Sequence, residues 1–130
     1  DQEDIRLLLR IELSAEGHDV SEAANGEHAL AAVEADPPDL MLLDIMMPVV
    51  DGWEVLRRLD GSGPPVVVIT GMASHDDRHR TELLELGALD VIAKPFHPGS
   101  LVRLIDEVLV LDPSEHDAYR QRVRQAREEG

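Results

Sequence analysis

The sequence has no cysteine, which excludes disulfides and thiolate metal sites. Aromatic residues make up only 2% of it, and Trp53, Phe96 and Tyr119 are the whole set. No apolar run approaches the length of a membrane span, and no charged-then-apolar leader opens the chain. These absences fit a cytoplasmic protein with no membrane partner. Positive charge is also scarce: 12 Lys and Arg stand against 27 Asp and Glu, for a net charge of −15. In residues 113–130, Arg120, Arg122, Arg124 and Arg127 balance Glu115, Asp117, Glu128 and Glu129, so the whole excess lies in residues 1–112. A body this acidic repels phosphate backbones, and direct nucleic-acid binding is not expected. Lys94 is the only lysine. What the chain does have is 43% apolar content over 130 residues, enough for one domain with a proper core and too few for two. It opens on Asp1, and methionine is not normally trimmed before aspartate. The sequence is therefore expected to begin downstream of its natural start.

Residues 4–16, "DIRLLLRIELSAE", place Ile5, Leu8, Leu9 and Leu13 at helical spacing, and Gly17 follows in the position that ends a helix. "HDVSEA" reads as a short strand. Asn25–Gly26 reads as a turn, and "EHALAAVEAD" as a second amphipathic helix stopped by Pro37–Pro38. "DLMLLD" has the continuous apolar character of a strand covered on both faces. A third helix spans about 52–59, and the fully apolar "VVVIT" is another strand. Residues 75–86 are helical up to Gly87. "LDVIA" is a strand, and 99–110 form a helix with Leu101, Leu104, Ile105 and Val108 on one face. Beyond it, Ser114 with Asp117 resembles a capping box, and Tyr119, Val123 and Ala126 make a narrow apolar stripe on an extra helix. That stripe predicts helix–helix contact, and 98–129 is the stretch through which a homodimer would form.

This alternation of helices and strands, with short connections, implies a doubly wound α/β fold: a parallel sheet with helices on both faces. Ligands of such sheets bind at the carboxyl ends of the strands. Asp44, Thr70 and Lys94 stand at or just past three such ends. Asp44 ends an apolar run, and burying an ionised acid is costly unless it is paired or doing chemistry.

The segments "LLDIMMPVVDGWEVLRRL", "VVVITG", "LGALDVIAKPF" and "DQEDIRLLLR" together resemble the receiver (response-regulator) domain of two-component signalling, the CheY-like family. The likeness covers about residues 1–110. It implies a flavodoxin-like receiver fold of strand order 2-1-3-4-5 over residues 1–112, with 113–130 as a C-terminal helical extension. It implies that Asp44 accepts a phosphoryl group from a sensor histidine kinase or a small phosphodonor, since a carboxylate can act as a nucleophile on phosphorus. Mg²⁺ is implied as cofactor, held by Asp1, Asp44 and the backbone carbonyl of Met46. Lys94 would pair with Asp44 or its phosphoryl oxygens, Thr70 would hydrogen-bond the phosphoryl group, and Pro95 would follow a cis peptide bond. The output would be a change in the face built by about residues 75–110, read by a downstream effector. On this reading the protein is not a turnover enzyme: it self-phosphorylates from a donor and slowly loses the group.

The sequence departs from the family at three points. The family's first apolar strand and the first acid of its acidic pair are absent; residues missing from the sequence would account for this, and "VLVLDPSEHD" at 108–117 is a weaker candidate for the slot. The position three before Lys94, usually aromatic, is Val91. Met46 and Met72 stand two after Asp44 and Thr70, where methionine cannot activate a water, so a slow-decaying phosphoryl group is expected. Two other functions stay open. One is a receiver-like interaction module that is never phosphorylated. The other is an aspartate-nucleophile phosphatase, whose Asp-x-Asp pattern Met46 breaks. His75, His79, Asp76 and Asp77 gather at a helix start and read as a solvated first turn rather than a metal site.

Overall fold

The computed structural model describes residues 2–23, 25–44, 52–59, 63–70, 77–93 and 97–129. Helix α1 spans Gln2–Ala15, α2 Gly26–Ala35, α3 Gly52–Leu59, α4 Asp77–Glu85, α5 Pro98–Leu109 and α6 His116–Glu129. Strands β1 (Met41–Asp44), β2 (Val66–Thr70) and β3 (Asp90–Ala93) form a parallel sheet in the order β1-β2-β3. Among the described residues no helix is long and apolar enough to cross a membrane.

The helix ends follow from local chemistry. Gly17 and Gly87 adopt φ of 94° and 116°, which an L side chain rarely tolerates. Each closes its helix with the same pair of bonds: Gly17 N–H to Ser14 O and His18 N–H to Leu13 O, then Gly87 N–H to Leu84 O and Ala88 N–H to Leu83 O. Asn25 is a helix cap rather than a turn residue, its side chain accepting from His28 N–H at 3.0 Å. Pro98 opens α5, where its missing N–H costs nothing, and the His97 ring caps the turn by accepting from Gly99 N–H.

Register and alternation divide the core into two layers. Leu43, Val68 and Val91 are paired neighbours across the strands and face α3 and α4, packing with Val55, Leu56, Leu83 and Leu84. Leu42, Ile69 and Ile92 turn to the other side, against Leu9 and Leu13 of α1 and Leu101, Val102 and Ile105 of α5. All five residues of β2 are buried. Helices therefore cover both faces of a parallel sheet, as the apolar runs require.

One expected strand is not formed. Residues 18–23, "HDVSEA", have no strand conformation, although Val20 packs against the layer that holds Leu9, Leu13 and Ile69. A strand exists where a neighbour accepts its backbone hydrogen bonds, and β1 is the outer strand on that side of the described sheet. The start of α6 also differs from expectation. The cap is made by Asp112 and Glu115, not by Ser114 and Asp117: Glu115 N–H bonds Asp112 O at 2.8 Å, and the Glu115 carboxylate accepts from Asp112 N–H at 3.1 Å. A 3-10 turn, Pro113–Glu115, leads from that cap into α6.

Candidate functional site

The site is built where the three strands end. Asp44 is the last residue of β1 and pairs in register with Ile69; Thr70, the next residue of β2, pairs with Ala93 at the end of β3. Adjacent strands lie roughly 4.8 Å apart and advance about 3.3 Å per residue, so the Asp44 and Thr70 backbones stand roughly 6 Å from each other. Lys94 follows Ala93 directly in the sequence and lies outside the described residues. Three stretches far apart in sequence thus converge on one rim, and register alone sets their relative height. Asp44 is half-buried, while Thr70 is 8% exposed. An acid reached by solvent beside a nearly buried hydroxyl suits a reaction that admits a small anion from outside.

The expected Mg²⁺ ligands are only partly in view: Asp1 and Met46 lie outside the described residues, as do Met72, His75, Asp76 and Pro95. Among the described residues no group of three or more His, Cys, Asp or Glu could hold a metal ion. Mg²⁺ asks for less, because it keeps several waters and takes one or two carboxylates. Asp44, a half-buried carboxylate at an open strand end, fits that demand. Val91, where an aromatic residue was the family expectation, is 4% exposed and joins Val68, its neighbour across the strands, in the layer facing α3 and α4.

A second polar cluster, which the sequence reading did not anticipate, lies at the opposite end of β3. Asp90 is 7% exposed. Its Oδ1 accepts from Val91 N–H at 2.7 Å, and its Oδ2 accepts from the Tyr119 hydroxyl at 2.9 Å. Tyr119 itself is buried with Leu89 and Val108. Its phenol is held well above its ordinary acidity range, first by burial and then by the Asp90 carboxylate. The neighbouring Arg120 donates from Nε to Ala88 O at 2.9 Å and from a terminal nitrogen to Gly87 O at 3.2 Å, meeting carbonyls at the end of α4. Val123 packs, partly buried, beside both clusters, so Tyr119 and Val123 of the stripe predicted on α6 lie against the chain's own α4, β3 and α5 region, while the side chain of Ala126 lies outside the described residues. The signal was present in the sequence as Asp90, an acid opening an apolar strand.

The chain matches, over residues 1–106, the family described as the response regulator receiver domain. It is 42% identical over 110 residues to a probable transcriptional regulator, ycf27, of Porphyridium aerugineum; the match covers 84% of this chain and 45% of that protein. The chain thus spans about half the length of that relative. Among solved structures it resembles the BeF3-activated N-terminal receiver domain of Klebsiella pneumoniae RstA, with a TM-score of 0.74, 32% identity, and coverage of 85% of this chain and 93% of the other. It also resembles the receiver domain of the sensor histidine kinase PA1611 from Pseudomonas aeruginosa PAO1, solved with a magnesium ion coordinated in the active-site cleft. There the TM-score is 0.69 and the identity 28%, over 80% of this chain and 87% of that one.

Proposed function

The chain belongs to the response-regulator receiver domain family, and from that premise we propose that Asp44 is its phosphoryl acceptor. A carboxylate oxygen of Asp44 attacks the phosphorus of the donor. The new O–P bond forms as the donor's bond to phosphorus breaks, and the electron pair leaves with the donor. With acetyl phosphate the leaving group is acetate; with a kinase phosphohistidine it is the imidazole, which takes up a proton from solvent. Asp44, Asp1 and the Met46 carbonyl would hold Mg²⁺, which supplies charge neutralisation to the phosphoryl oxygens. Lys94 contributes a positive charge to the same oxygens, and Thr70 donates its hydroxyl to the group once it is on Asp44. The added charge then biases α4, β3 and α5 between two conformations. Residues 1–112 act as the receiver and 113–130 as its helical extension. The upstream partner is a sensor histidine kinase, the downstream one an effector protein or domain, and the setting is the cytoplasm.

What supports this reading most is the register that brings Asp44, Thr70 and the residue preceding Lys94 to one rim from three adjacent strands. The test is intact-mass measurement after incubation with Mg²⁺ and acetyl phosphate. A gain of one phosphoryl group is expected, absent when Mg²⁺ is chelated. No gain would favour a receiver-like module that works by docking alone, and many equivalents turned over would favour a phosphatase.

A further inference from the structure

We propose that α6 is a releasable latch, whose hold on Asp90 and on the Gly87 and Ala88 carbonyls is coupled through β3 to phosphorylation at the sheet's rim. The proposal rests on the receiver reading given above. Its starting point is where the described part of α6 is held. Of the residues from His116 to Val123, only Tyr119 is buried; Asp117, Ala118, Gln121 and Arg122 are exposed. A helix of 14 residues is marginal in water by itself, so α6 depends on contacts with the rest of the chain, and those described are made by Tyr119, Arg120 and Val123. Local opening of a single terminal helix costs less than global unfolding.

The described hydrogen bonds of α6 to the sheet side lie on one short path to the site. Arg120 grips the two carbonyls that follow α4, and Tyr119 grips the first residue of β3. Three residues further along β3 is Ala93, the partner of Thr70, and Val91 between them is paired with Val68. Both oxygens of Asp90 are bonded, one to the strand's own N–H and one to α6. A shift of β3 or of the end of α4 toward a phosphoryl group would therefore move the seats of Tyr119 and Arg120 together. Docked and released α6 are the two states that the rim would bias. The coupling is reciprocal, so a weakened latch favours the phosphorylated state by the same factor.

Hydrogen exchange read by mass spectrometry tests this, with intact mass followed in parallel. The protein is compared with and without Mg²⁺ and acetyl phosphate. Phosphorylated protein should exchange its α6 amides about 5- to 150-fold faster, with β2 still protected. Tyr119→Phe should release α6 without any donor, and Arg120→Ala serves the same purpose if that variant does not fold. A phosphoryl gain with unchanged or slower α6 exchange overturns the latch and leaves the phosphoacceptor reading standing. Full α6 protection in folded Tyr119→Phe and Arg120→Ala proteins overturns the latch as well. Absence of any phosphoryl gain overturns both.

Discussion

Among the described residues, Asp44 and Asp90 are two aspartates on the sheet of β1, β2 and β3, set at opposite ends of its two flanking strands. Asp44 closes β1, half-buried at the carboxyl rim. Asp90 opens β3 and is enclosed, with a backbone N–H on one oxygen and a tyrosine hydroxyl on the other. The same carboxylate is offered to solvent in one place and walled in at the other. The difference teaches what each is for. An acid whose oxygens are both bonded inside the fold fixes the position of its neighbours. An acid at a solvent-reached strand end stands where ligands of a parallel sheet arrive. Burial separates the two roles, where the sequence shows only an acid beside apolar residues in both cases.

The largest expected effect removes the accessible acid. Asp44→Asn should abolish phosphoryl uptake altogether while leaving the unfolding midpoint close to that of the parent, as measured by mass and by thermal melting. Next comes the layer beneath both acids. Leu83 is 1% exposed between α4 and the sheet, and Leu83→Ala should cost about 2–5 kcal/mol in denaturant unfolding through lost burial and the cavity left behind.

The enclosed acid is probed through its partner. Tyr119→Phe should cost about 1–3 kcal/mol, because the Asp90 carboxylate loses a buried donor. It should also change the response to alkali. The phenol's folded pKa is raised above its ordinary value of 10.0, so its contribution is whole below about pH 10 and is lost as pH climbs beyond that. The parent chain should therefore lose stability above pH 10, and Tyr119→Phe should lose less over the same range. Equal alkaline loss in both proteins would show that Asp90 does not depend on this hydroxyl. The smallest effect concerns the backbone alone. Nothing lies within 4 Å of a Cβ placed on Gly17, so Gly17→Ala should cost only the strain of its positive φ, about 1–2 kcal/mol.

Much of this arrangement was legible in the residues. The apolar runs around Leu43 and Val68 named central strands, and Gly17 and Gly87 marked helix ends that close with the expected bonds. Asp44 and Thr70 were placed at strand ends, and register puts them on one rim. The failures are informative. "HDVSEA" has strand-like residues, but pairing needs a neighbouring backbone, which local pattern cannot supply. The capping bonds fell on Asp112 and Glu115 because a 3-10 turn opened by Pro113 precedes α6 and shifts the frame from one starting at Ser114. The Asp90–Tyr119 bond spans 29 residues of sequence, and only packing brings its ends together. The stripe on α6 was visible, yet its partner within the chain was not.

The central claim is that Asp44 is where the phosphoryl group lands. After incubation with Mg²⁺ and acetyl phosphate, the protein can be digested under mild acid and its peptides weighed. The account predicts one added phosphoryl group, carried by the peptide that contains residues 41–44 and missing in Asp44→Asn. A phosphoryl group found on any other peptide, or one that persists in Asp44→Asn, would contradict it.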